Sequence, residues 1–468
     1  MSSMFPPVRL ARSIPLAAPG QRRGWVRKVL HRHREAILCR ATAIALTVNL
    51  ALRPARFPEP ARIIGRAYAY KFWRPANAGE WLDIVVAFLI WPFGILACAC
   101  WYTWKNGRVI AERSGRSRTV QFVEQLKLSV TTGLLPPWYY IFELHRPGEL
   151  GRAPAFLTRG ETKHGAYLLL AEARGSSSPL GDKEEFARFC GERQLPSLPV
   201  LTSIRDGRMR RDTLPPVDLF VKPVRGRGGK GAERWDHTGG YRYRHPNGQT
   251  LSASQLAERL RGMSRVQPYL VQERARNHPS IADLSNGALN TVRMISCLSE
   301  QEEPEIIGAV LRMAVGTNVT VDNVHAGGIA APIDLERGQL RAATYMGIDS
   351  SHGWIDRHPD TEAAICGRRL PYWQELCELV RRAHSAFDDW VVIGWDVAIM
   401  ADGPRLVEGN SGPDIDLVQR PLRMAFGESR LGELLALHLR RSEQVWRRQG
   451  AHCGATGAAA AACSPGRG

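Results

Sequence analysis

The sequence predicts an α+β fold with an N-terminal helical, partly apolar region. From Gly181 to about Leu439, short apolar strands alternate with amphipathic helices across Gly-rich turns. VVIGWDVAIMADGPRLVEGN, Val391 to Asn410, reads as two strands around a turn. Ahead of both lies Leu82–Trp104, in which Ile84 to Thr103 carries no charge.

Residues 1–80 form a basic, Pro-interrupted arm, with about fifteen Arg and Lys before Trp81 against three acids. It accounts for much of the net charge of +18 and suits either solvent or anionic lipid headgroups. No zinc-finger, RNP-like or basic-zipper pattern is present, so no nucleic-acid partner is expected. One weak apolar segment, Ala36 to Leu52, is broken by Arg40, and no secretory signal pattern opens the chain.

Residues 81–110 are expected to form an apolar helix long enough to cross a bilayer, with Trp or Tyr at both ends. A buried packing helix fits the same composition. A single crossing would put the basic arm opposite the cytosol, against the positive-inside tendency. Pro92 and Gly94 permit a bent, re-entrant or interfacial helix.

Residues 111–180 read as a helical linker region, with a helix over Thr119–Thr131, a stop at Leu135-Pro136-Pro137, and a Ser176–Ser178 linker before Pro179. Residues 181–440 carry the main folded unit, and 441–468 a tail that is low in complexity from Gly450. Nine cysteines without a CxxC pair point to buried thiols in a reducing compartment. Of 63 basic residues only eight are lysine, none after Lys230, so each lysine is more informative than usual.

In the hairpin, a turn centred on Asp402 pairs positions that sum to 804. Asp396 then faces Glu408, and Asn410 shares the face of Glu408. Directly opposed strand side chains sit about 5 Å apart, where two carboxylates repel, so a positive charge is expected between them. A divalent cation meets that need, because hard oxygen ligands of this kind hold Mg²⁺ together with substrate phosphates. An exposed polar face would give the same pattern in isolation.

LFVKPVRGRGGKG, Leu219 to Gly231, places Lys222 on a strand before a loop with Gly226, Gly228, Gly229 and Gly231. Glycines there let backbone amides approach phosphate oxygens. No Lys-Ser or Lys-Thr opens a helix afterwards, so this is not a Walker A loop. Lys183 opens an amphipathic helix with Phe186, Phe189 and Cys190 on one side. Gln272-Glu273 ends a strand, and Arg293 lies on another.

In this order the elements resemble the ATP-grasp superfamily, whose fold is two α+β subdomains clasping ATP. The twelve-residue step from Asp396 to Glu408 and the ending Glu408-Gly409-Asn410 are similar to its metal-binding hairpin. More narrowly, VDNVHAGGIAAPID, LPYWQE and GWDVAIMADGPRLVEGN resemble the sugar-transfer-associated ATP-grasp family, related to α-L-glutamate ligases, over roughly residues 140–440.

The resemblance implies that Lys183 and Lys222 contact the α- and β-phosphates and that the Gly226–Gly231 loop, with Lys230, covers the triphosphate. Gln272, Glu273 and the backbone near Ala275 would hold adenine, and Asp283 the ribose. Arg293 and Arg312 would stabilise the transferred phosphoryl group. Asp396, Glu408 and Asn410 would bind one or two Mg²⁺, with Mn²⁺ as an alternative. Asp322, Asn323, His325, Gly327 and Gly328 would line the acceptor side.

The implied reaction joins a small-molecule or glycan-linked carboxylate to an amine or similar nucleophile through an acyl phosphate, in polysaccharide or glycoconjugate modification. It would take place in the cytoplasm or at the cytoplasmic face of the inner membrane. An ATP-grasp phosphotransferase and a membrane-docked accessory protein that binds nucleotide without turnover are the alternatives. His352, His358 and His384 have no metal-ligand spacing and are read as ordinary histidines.

Overall fold

The computed structural model describes residues 42–443 apart from 76, 212, 227, 318–319, 321 and 323–326. Most of the basic arm, the tail beyond residue 443 and two acceptor-side residues, Asn323 and His325, therefore lie outside the described residues. The chain opens with helices α1 (Thr42–Leu52), α2 (Glu59–Phe72), α3 (Ala78–Ser114), α4 (Arg118–Thr132) and α5 (Pro136–Ile141). The apolar segment lies within α3. Asn77 caps its start by accepting from the Glu80 amide at 3.0 Å, and Gly115 ends it in the left-handed conformation.

Helix α4 ends at Gly133, whose φ is 80° and where a Cβ would come within 2.6 Å of the Thr42 carbonyl oxygen. Only glycine lets α1 and the end of α4 approach that closely. Pro136 and Pro137 do more than stop a helix. They occupy the first turn of α5, where the missing N–H costs nothing.

Five further helices and one helical segment follow: α6 (residues 159–174, with a π-helical turn at Thr162–Ala166), α7 (Lys183–Glu192), α8 (Ala253–Ser264), α9 (Trp373–Ala386), α10 (Asp416–Leu422) and α11 (residues 430–443). The strands form two antiparallel sheets. The smaller contains β1 (Val200–Arg205), β2 (Arg208–Met209), β3 (Leu219–Pro223), β4 (Glu233–His237), β5 (Arg242–Arg244), β6 (Thr250–Ser252) and β7 (Tyr269–Glu273), in the order β2-β1-β7-β3-β4-β5-β6. Helix α8 covers it through Leu256 and Leu260 packed on Val221, Trp235 and Val271.

The larger sheet contains β8 (Thr291–Leu298), β9 (Pro304–Met313), β10 (Ile329–Asp334), β11 (Gln339–Leu340), β12 (Ala343–Thr344), β13 (Trp354–Ile355), β14 (Val392–Met400) and β15 (Gly403–Asn410). Its order is β13-β12-β10-β9-β8-β14-β15, with β11 pairing β10 off that path.

Strand alternation divides the larger sheet into two unlike faces. Val292, Met294, Leu311, Trp395 and Val397 enter one core with α7 and α9. Ile295, Cys297, Val310 and Ala330 enter the opposite core, with Ile64 of α2, Leu169 of α6 and Leu434 of α11. Thr291, Arg293, Arg312 and Asp396 share this second face. It is therefore apolar at one end and polar at the end nearest the smaller sheet.

His384, at the α9 C-terminus, is buried. Its ring meets Ser296 Oγ at 2.7 Å and the Trp390 carbonyl at 2.9 Å. Burial pushes it down to about 4, so it is a neutral core residue. His358 is likewise buried against the Ala314 carbonyl at 2.9 Å. Among the described cysteines, Cys190, Cys297 and Cys377 are buried thiols, but Cys100 and Cys366 are exposed.

Candidate functional site

The two sheets face each other across a cleft of about 870 Å³. Its floor is the polar end of the larger sheet, because register brings the chemistry-bearing residues side by side. Asp396 on β14 pairs with Arg293 on β8 and with Glu408 on β15. Thr291 of β8 pairs with Arg312 of β9.

The 804 pairing holds at Asp396–Glu408 for a reason the turn alone does not supply. Met400 pairs with Gly403 and Val397 with Leu406, positions summing to 803. A bulge at Val407 then shifts the register by one. A bulge sets two residues against one, and both Val407 and Glu408 line the cleft.

The positive charge expected between the carboxylates is supplied by the protein itself. Arg293 donates from both Nε and a terminal nitrogen to the two oxygens of Asp396, the second bond at 3.0 Å. Arg312 adds another at 3.0 Å. Burial alone would raise the Asp396 pKa, but these two guanidinium groups hold the carboxyl well below the usual carboxylate range.

Arg312 is steadied in turn by Thr291 Oγ1 at 2.6 Å and by Asp322 at 3.4 Å. Asp322 is buried and accepts from the Thr291 amide at 2.7 Å. It thus positions Arg312 as well as lining the cleft. Glu408 is freer: Lys183 Nζ lies 3.7 Å away and Asn410 Nδ2 3.4 Å.

The opposite wall comes from the smaller sheet and α7. Asp182 caps α7 by accepting from the amides of Glu184 and Glu185, which fixes Lys183 at the first helical position. Phe186 and Cys190 are buried and Phe189 packs on Phe387, as the amphipathic pattern required. Lys183 Nζ donates to the Gly226 carbonyl at 3.0 Å, tying the helix to the glycine loop. Gly228, Gly229 and Gly231 have φ of 70°, 69° and 77°, a run open to glycine but strained for other residues. Lys230 is exposed on that loop.

Lys222 is buried on β3, and burial, with Lys183 nearby, pushes its ammonium down to about 8 despite the opposing charges of Glu408 and Asp396. The charged form, which attracts a polyanion, is present below that pH and lost above it. Affinity for a nucleotide triphosphate is therefore expected to fall roughly tenfold between pH 7 and pH 9. Titration calorimetry at the two pH values reads this directly, and a flat profile would remove Lys222 from the phosphate contacts.

Gln272 donates from Nε2 to the Leu198 carbonyl at 2.9 Å, while its Oε1 is buried with no hydrogen-bond partner among the described residues. An amino group entering the cleft would satisfy that oxygen. Glu273 and Ala275 line the same end. Asp283, expected at the ribose, does not line the cleft: it sits on an exposed turn, where Arg368 grips both its carboxylate oxygens. Gly327 and Gly328 do not line it either.

Residues that the motifs did not single out complete the site. Lys163 lies in the π-helical turn of α6 with Nζ 2.6 Å from Asp414, and Arg159 Nε is 3.0 Å from the same carboxylate. Arg274 and Arg234 both bind Asp236 on the smaller sheet and line the cleft. The i, i+4 spacing of Arg159 and Lys163 puts them on one helix face, but nothing in the sequence says which way that face turns. Ten Lys and Arg side chains line the cleft against five carboxylates, a balance suited to a polyanionic ligand.

The donor set of Asp396, Glu408 and Asn410 fits a hard divalent cation. Three N–H donors already occupy Asp396, leaving about one of its roughly four acceptor positions. Glu408 and Asn410 are the more available ligands. Among the described residues no cluster of three His, Cys, Asp or Glu forms a self-sufficient cage, so remaining ligands would come from phosphate and water.

A family profile described as sugar-transfer associated ATP-grasp matches residues 165–435. No curated protein matches the chain in sequence. Among solved structures it is similar to D-alanyl-alanine synthetase A from Vibrio cholerae, at 10% identity over 56% of this chain and 65% of that one, with a TM-score of 0.35. It is similar to L-amino acid ligase from Bacillus licheniformis at 10% identity over 56% and 48%, TM-score 0.33. For D-alanine-D-alanine ligase from Coxiella burnetii the figures are 9%, 59%, 63% and 0.32. The chain spans less than two thirds of the length of each of these three proteins.

Proposed function

The chain belongs to the sugar-transfer associated ATP-grasp family, and from that premise we propose that it is an ATP- and Mg²⁺-dependent ligase that activates a carboxylate for attack by an amine or similar nucleophile. The observation that carries this reading is the convergence, in one cleft, of Lys183, Lys222 and the glycine loop on one wall with Arg293, Arg312, Asp396, Glu408 and Asn410 on the other.

In the first step a substrate carboxylate oxygen attacks the γ-phosphorus of ATP. The bond from that phosphorus to the β-phosphate oxygen breaks, and ADP leaves. In the second, the amine nitrogen attacks the acyl carbon, the C–O bond to phosphate breaks, and the nitrogen loses a proton. Such chemistry needs charge neutralisation and alignment more than a protein nucleophile, and no Cys or His lines the cleft among the described residues. Lys183 and Lys222 draw the phosphates to one wall, while Arg293 and Arg312 lie where negative charge builds on the transferred group. Mg²⁺, or Mn²⁺, would be held by Glu408, Asn410 and the remaining position of Asp396, and when bound it neutralises phosphate charge.

Gln272, Glu273 and the Ala275 backbone would take adenine. Lys163 and Arg159 suit an anionic acceptor, with Asp322, the one described acceptor-side residue that lines the cleft, beside Arg312. The family's association with sugar transfer makes glycan-linked carboxylates the first class to screen. The cytosolic supply of ATP assigns the reaction to the cytoplasm or the cytoplasmic face of a membrane.

The test supplies the full chain with ATP, Mg²⁺ and panels of carboxylates and amines, and follows ADP and free phosphate. Phosphate release that needs both partners is the expected result. A stable phosphorylated product would replace the ligase by a phosphotransferase. Mg²⁺-dependent thermal stabilisation by ATP without turnover would favour the accessory-protein reading, and absence of both would remove the nucleotide site. At a hundredfold excess over its dissociation constant, the nucleotide should stabilise the fold by about 2.7 kcal/mol.

A further inference from the structure

Helix α3 is 37 residues long, and only 22% of its most apolar window is buried. A core helix of that hydropathy would be covered. Here Leu82, Val85, Leu89, Phe93, Leu96 and Trp104 are all exposed, Phe93 at 75%. They recur every three to eight residues along one side, in register with the helical repeat, and so form one face. No charged residue interrupts α3 from Ile84 to Thr103.

The opposite side is held to the rest of the protein at both ends and is buried at a few points between them. Near its start, Ile84 packs into a cluster with Leu46 of α1 and Tyr68 and Phe72 of α2. Helix α2 is itself part of the catalytic body: Ile64 lies in its core, and Lys71 bonds Glu172 of α6 at 2.7 Å. Ala87, Ile95 and Ala99 are buried in the middle of α3. At its far end, Asn106 accepts from the Ser350 amide at 2.8 Å, Lys105 pairs with Asp349 at 3.1 Å, and Arg113 donates to the Ser350 carbonyl at 2.7 Å.

Ile84 and Thr103 are separated by about 30 Å of helix, the thickness of a hydrocarbon layer. A span would put these ends on opposite sides of that layer. Both instead rest on one folded body, and only a short connection, residues 73–77, links α3 to α2.

We propose that α3 lies flat in the surface of an anionic lipid bilayer, its exposed apolar face inserted beneath the headgroups and the catalytic body held against one side. The chemistry of the surroundings favours lipid over a second copy of the chain. The exposed face is wider than a coiled-coil seam, and Trp81 and Trp104 stand at its two ends, where indole rings favour the interface. Residues 1–41 contain nine Arg and Lys against one acid, a charge that anionic headgroups attract.

The test floats the full-length protein with vesicles of phosphatidylethanolamine and a minority of phosphatidylglycerol. The wild type should rise with the lipid, and a Leu89→Glu/Phe93→Glu variant should lose at least about tenfold of that binding while keeping its thermal shift with ATP. Two further variants carry a protease site, one in the 73–77 connection and one in residues 115–117. In sealed inverted vesicles from the expression host, both sites should be cut from the same side. Cleavage at only one would mean that α3 spans, and would overturn the in-plane arrangement. A wild type that ignores vesicles, or a soluble dimer that the double substitution dissolves, would overturn the lipid assignment.

Discussion

Glu408→Ala is expected to lower Mg²⁺-dependent turnover by roughly a hundredfold or more while leaving the fold intact. A bound metal supplies several kcal/mol of charge stabilisation to phosphoryl transfer, and each 1.36 kcal/mol is a factor of ten. The fold should survive because Glu408 is partly exposed and its ionic partner, Lys183, stands 3.7 Å away. Asp396 is bound by two arginines whether or not a metal is present, so Glu408 is the cleaner probe. Turnover with ATP and a range of Mg²⁺ concentrations checks this. Unchanged activity, or full rescue only by thermal stabilisers, would take Glu408 out of the metal set.

Arg293→Ala is expected to act on stability as well as on catalysis. The substitution removes the two-point partner of a buried carboxylate, and breaking such a pair costs about 3–5 kcal/mol. Arg312 remains on Asp396, which favours the lower end of that range. Removing the carboxylate too, in Arg293→Ala/Asp396→Ala, should recover part of the loss, because no unpaired buried charge is then left. Urea denaturation of the wild type, the two single variants and the double variant gives the coupling energy. A coupling near zero would mean that the pair does not hold the two strands together.

Much of the cleft was legible in the chain. The hairpin pattern brought Asp396 and Glu408 onto paired strands, and four closely spaced glycines marked the loop. Asp182-Lys183 before an amphipathic stretch marked the start of α7. Each is a local signal, set by neighbours within about a dozen residues.

What stayed hidden depends on contacts across long stretches of sequence. The repulsion between Asp396 and Glu408 is relieved by arginines about a hundred residues upstream, and only the register of β14 on β8 shows that they arrive. Lys163 and Arg159 come from a helix ahead of the recognised motifs, and its rotation is set by packing on α2. Asp283, put at the ribose by the family resemblance, lies outside the cleft. Arg368, 85 residues later, takes it instead. The bulge at Val407 left no mark in the sequence, although without it the 804 pairing does not follow from the observed turn.

The scarcity of lysine has a practical consequence. The chain has only eight, and four of them, Lys163, Lys183, Lys222 and Lys230, line the one cleft. A neutral amine is a nucleophile and an ammonium is not, so Lys222, at about 8, exposes a reactive lone pair at pH values where an ordinary lysine still withholds it. Amine-selective acylating reagents meet Lys230 and Lys183 on the surface that a nucleotide would shield, and exposed Lys127 outside it. Protection of the cleft lysines relative to Lys127 would then report nucleotide occupancy.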